Sequence, residues 1–88
     1  MAQTTDTFWD RCLVLAKQAG ELLGYGIVPD AEDNALDIAI ERFLSSRADL
    51  PYAVRPDPDE VRSILWKVSH QEYVRVSYEV DRTVAANR

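Results

Sequence analysis

No glycine or proline follows Pro58, so residues 59–88 of this 88-residue chain contain neither of the residues that most strongly end an element. This stretch constrains the fold more than any other. Its central run, Ser69 to Arg82 (SHQEYVRVSYEVDR), fits two periods. Val74, Val76, Tyr78 and Val80 alternate with Arg75, Ser77, Glu79 and Asp81, as in a half-buried strand. Yet Tyr73, Val76, Val80 and Val84 follow helical spacing, and Trp66, Tyr73 and Val80 recur every seven residues. Glu72–Arg75, Arg75–Glu79 and Glu79–Arg82 are opposite charges three or four apart, each stabilising a helix by about 0.2–0.5 kcal/mol.

Backbone pairing separates the two readings. A strand cannot satisfy its own N–H and C=O groups. The other extended candidates, YGIV and PYAVR, are short and bounded by glycine or proline. The spacing therefore predicts a helix. Ser69 and Glu72 form a capping-box pattern, so that helix could restart after a kink. The competing architecture is α+β, with residues 72–80 as a strand that pairs with a second copy in a dimer. On a helix, Tyr73, Val76, Val80 and Val84 form the stripe expected in the core, and Val74, Tyr78 and Ala85 form a second apolar stripe away from it. One small bundle cannot easily bury both.

The rest of the chain reads as helical. TFWDRCLVLAKQAGELLG puts Phe8, Cys12, Leu15, Ala19 and Leu22 on one line, with Trp9, Leu13, Ala16 and Leu23 beside it. This apolar arc predicts a helix over about residues 6–23, capped by Thr7 with Asp10 and stopped by Gly24. After the connection GYGIVPD, Asp30 is expected to cap a second helix ending near Arg47. Leu36, Ala39, Ile40, Phe43 and Leu44 form its buried face, widened by Ala35. ADLPYAVRPDP holds three of the four prolines and should run extended, with Tyr52 and Val54 as anchors on the core. Asp57, Pro58 and Glu60 then give an N-cap, a proline at the first position and an acid in the first turn. Val61, Ile64, Leu65 and Val68 continue this third helix. The expected fold is all-α: one domain over residues 1–88, a three- to four-helix bundle with an extended proline-rich crossing before the third helix.

Composition narrows function mainly by exclusion. Apolar residues are 47% and charged residues 28%, ordinary for a globular domain. The net charge is −5, and the ten basic residues are scattered rather than clustered, which disfavours nucleic acid. No apolar run is long enough to span a membrane. The N-terminus lacks a signal-peptide pattern, so a cytoplasmic location is the default expectation. Cys12 is the single cysteine, which excludes an intrachain disulfide and a cysteine-rich zinc site.

Chemistry has little to stand on. Cys12 with His70 could form a nucleophile–base pair, but Cys12 sits mid-arc on an apolar helix and reads as core. His70 reads as an exposed or capping histidine. Asp33, Asp37 and Glu41 recur every four residues, a like-charge row that costs a few tenths of a kcal/mol per pair. They read as a solvated face, or else as an acidic patch with Ile38 at its edge. No Glu-x-x-His, EF-hand, phosphate-loop or Gly-x-Ser-x-Gly pattern occurs. Phe8, Trp9 and Phe43 read as core, while Trp66 lies off the main face of the third helix.

The sequence thus points to a non-enzymatic protein–protein interaction domain without cofactor or metal: an adaptor, small subunit or inhibitor that forms a homodimer. Val74, Tyr78, Ala85, Trp66 and Ile38 are its candidate contacts, with Asp33, Asp37 and Glu41 as candidate acidic ones. The second class is an acidic mimic that occupies a basic, nucleic-acid-binding surface of another protein. A small Cys/His enzyme is the third.

Overall fold

The computed structural model describes residues 7–28 and 34–87. It is all-α: three helices and one short 3₁₀ turn, with no strand among the described residues. The helices are α1 (Thr7–Gly24), α2 (Ala35–Ser46) and α3 (Pro58–Ala86).

α1 is built around small residues on a four-residue period. Cys12, Ala16 and Gly20 are its buried positions. A Cβ added at Gly20 would collide with the carbonyl of Ser69 in α3, whose carbon would lie 2.9 Å away. At Gly24 it would meet the Val76 side chain at 2.6 Å. The two helices run parallel, since Gly20 lies against Ser69 and Gly24 against Val76, further along both helices. Small side chains let the two backbones approach this closely.

The end of α1 corrects one expectation. Gly24 is the last helical residue, not the stop. The stop is Gly26, with φ of +80° in the left-handed region. Ile27 N–H donates to Leu22 C=O at 2.9 Å, and Gly26 N–H to Leu23 C=O at 3.0 Å. That pair of bonds is a Schellman closure, which requires a left-handed residue where Gly26 stands.

α2 turns back along α1, so that Phe43 near its end meets Trp9 near the start of α1, with ring centroids 5.1 Å apart. Its buried residues Ala39, Ile40 and Phe43 join Cys12, Ala16, Val61 and Leu65 in the core, with Leu36 and Leu44 packed against it. Asn34 stands at the N-cap and the helix begins at Ala35, which is exposed. The expected Asp30 cap and Asp33 lie outside the described residues. Phe8 was expected in the core and is 46% exposed, because it falls at the outer edge of the α1–α2 contact.

The crossing is not uniformly extended. Tyr52–Val54 form a 3₁₀ turn, and Arg55 Nε donates to the Leu50 carbonyl at 2.6 Å. Tyr52 and Val54, expected as anchors, are 88% and 63% exposed. The turn directs both side chains outward. The α3 start is as expected: the Asp57 side chain accepts from Asp59 N–H at 3.1 Å, with Pro58 at the first position.

α3 is one helix of 29 residues with no break at Ser69. Neither the strand nor the restarted fourth helix occurs. It is about 43 Å long at 1.5 Å per residue, while α1 is about 27 Å. α1 ends beside Val76, so residues 77–86 have no helix next to them among the described residues. The expected buried stripe is therefore buried at Val76 alone: Tyr73 is 40% and Val84 53% exposed, and Val80 is partly covered. Ile64, at helical spacing with Val61 and Leu65, is 42% exposed.

Candidate interaction surface

The surface of interest is the part of α3 that the bundle leaves open. Leu65 and Val76, each 1% exposed, mark the line facing α1. At about 100° per residue, two apolar groups lie away from that line.

The first is on the far side: Val74, Tyr78 and Ala85. Val74 is 50% and Tyr78 66% exposed, and Ala85 is exposed. The second runs along one flank, roughly a quarter turn from the line facing α1. It begins at Trp66, 66% exposed, and continues through His70, Tyr73, Val80 and Val84. Its rings are ordered. The Trp66 and His70 rings stack with centroids 5.1 Å apart and planes within 5°, and His70 stacks on Tyr73 at 6.2 Å. His70 is thus the middle rung of an aromatic ladder. The spacing of residues 66, 70 and 73 carried that signal, which the expectation of an exposed or capping histidine did not use.

Between the two groups on the other side, Arg75 ties the helix surface together. Its guanidinium donates to Glu72 and, at 3.0 Å, to Glu79 Oε1. The hydrogen bond from Arg75 holds the Glu72 carboxyl below the usual range, and the two carboxylates raise the Arg75 guanidinium. These pairs are exposed and worth little to stability. They fill one side of α3 with satisfied charge and leave the aromatic flank as the apolar one.

The α2 candidates lie elsewhere. Ile38, 41% exposed, lines a shallow groove with Phe8, Leu15, Arg11 and Arg42 between α1 and α2. Asp37 and Glu41 are exposed on α2, with Arg42 alongside. The structure does not bring these residues together with Trp66, Val74, Tyr78 and Ala85.

Cys12 and His70 are also apart. Cys12 is 0% exposed in the core, and burial pushes its thiol pKa up, which opposes formation of a thiolate nucleophile. His70 is level with Gly20, about 12 Å along α1 from Cys12. Among the described residues no group of three or more His, Cys, Asp or Glu could hold a metal ion, and no helix is long and apolar enough to cross a membrane. Comparison with known protein families, curated proteins and solved structures returned no match.

Proposed function

We propose that the chain is a non-enzymatic protein–protein interaction domain that self-associates through α3. One observation carries the reading: a 29-residue helix whose buried residues are Val61, Leu65 and Val76, and which continues past its neighbour with Val74, Tyr78 and Val84 at least half exposed. Exposed apolar surface of this extent, on a rigid element and edged by charge, is typical of contact sites. Trp and Tyr, both present here, are enriched among residues that dominate binding. A cytoplasmic setting suits a free thiol and a chain of this charge.

Sedimentation equilibrium over the micromolar range tests the proposal. A concentration-dependent dimer is expected. Val74→Glu, at an exposed position, should shift it to monomer while circular dichroism shows the same helix content. A wild-type monomer at every concentration overturns self-association. The acidic-mimic reading rests on Asp37 and Glu41, two exposed carboxylates beside Arg42, and so has less to support it.

A further inference from the structure

We propose that a second copy of this chain packs antiparallel along the α3 flank that carries Trp66, His70, Tyr73, Ser77, Val80 and Val84, about a two-fold axis close to Val74. The inference rests on the self-association reading and specifies its geometry.

The six positions are separated by four, three, four, three and four residues, the alternation of a coiled-coil seam. They span about 27 Å of helix, roughly two and a half heptads. The next seam positions outward are Ser63 and Asn87, so the apolar seam ends in polar residues on both sides. The Trp66–His70–Tyr73 stack is already formed in the single chain. Little side-chain freedom remains to be lost there on binding.

Size and charge both select the antiparallel arrangement. Packed antiparallel, Trp66 lies over the partner's Val84, His70 over the partner's Val80, and Tyr73 over the partner's Ser77. Each ring meets a small or branched side chain, and the layers have similar widths. A parallel pair would place Trp66, His70 and Tyr73 each on its own copy, and close packing would fail at that end. Along the outer edge of the seam stand Lys67, Val74 and Asp81, seven residues apart. In an antiparallel two-fold pair this edge faces itself. Lys67 then meets the partner's Asp81, Asp81 meets the partner's Lys67, and the two Val74 side chains meet near the axis. The pattern of cation, apolar residue and anion is self-complementary in that orientation. The opposite edge, at Ser69 and Val76, is already against α1 at Gly20 and Gly24.

The test is a charge exchange read by sedimentation equilibrium of the full chain: wild type, Lys67→Glu, Asp81→Lys and the double variant. Both positions are exposed, so circular dichroism should show unchanged helix content. Each single reversal puts like charges together at two symmetric places and should weaken the dimer roughly tenfold or more. The double variant restores both pairs and should return the dimer constant to within about threefold of wild type. Lys67 and Asp81 are about 21 Å apart on one helix, well beyond the screening length at physiological salt, so rescue cannot arise within one chain. A dimer indifferent to both single changes, or single losses that the double variant does not recover, overturns this geometry and leaves self-association standing. A monomeric wild type overturns both.

Discussion

Gly20 shows how much can depend on the absence of a side chain. Gly20→Ala improves intrinsic helix propensity by about 1 kcal/mol. It also forces a methyl group onto the Ser69 carbonyl, a backbone atom that cannot swing aside. Overpacking of this kind costs about 1–3 kcal/mol. Urea unfolding should therefore show Gly20→Ala as destabilising by up to about 2 kcal/mol net, against the propensity trend. Gly26→Ala should lose about 1 kcal/mol for a different reason, since its surroundings are open and only its left-handed φ resists the change. The sequence displays Cys12, Ala16, Gly20 and Gly24 at a four-residue period, so the close contact was legible in principle. Which glycine would take the left-handed position was not. Helix propensity does not distinguish Gly24 from Gly26, and the Schellman bonds at Gly26 depend on where α1 stops.

At the scale of elements, α3 was legible where its signals are local. Asp57, Pro58 and Glu60 mark its start because caps act within one turn, and the lack of later glycine or proline marks its length. The pattern of burial was less legible. Placing Tyr73, Val76, Val80 and Val84 in the core presumed a neighbour along the whole helix, whereas α1 ends beside Val76. Burial on one element is set by the length of another. Val74 was legible, because spacing set it on a second stripe that a small bundle cannot bury, whereas Trp66, off the main face, could equally have been covered by a neighbour. Amide hydrogen exchange should report the boundary. In dilute protein, amides of residues 61–76 should exchange slowly, while those of 80–86 exchange at least tenfold faster, as in a frayed, uncovered helix. Protection of residues 80–86 should rise with concentration if self-association covers them. Uniform protection along α3 at high dilution would mean that the far end is held by something within the chain.

The whole molecule is long for its mass. Its radius of gyration is 16.1 Å, against about 12 Å for a compact domain of this length. The extents of 58 × 37 × 19 Å show the same elongation. α1 makes most of the packing with both other helices, and α2 and α3 touch only slightly. A shape in which one helix outruns the others leaves apolar surface that a partner can cover. Small-angle scattering can follow how that happens. Extrapolated to infinite dilution, the radius of gyration should stay near 16 Å. As concentration rises, pairing along α3 about an axis near its middle should thicken the particle much more than it lengthens it. The longest distance should then end well short of twice 58 Å. Pairing through the tips of α3 would instead bring the longest distance close to that doubled value, and would place the contact at Val84 and Ala85 rather than along the aromatic ladder.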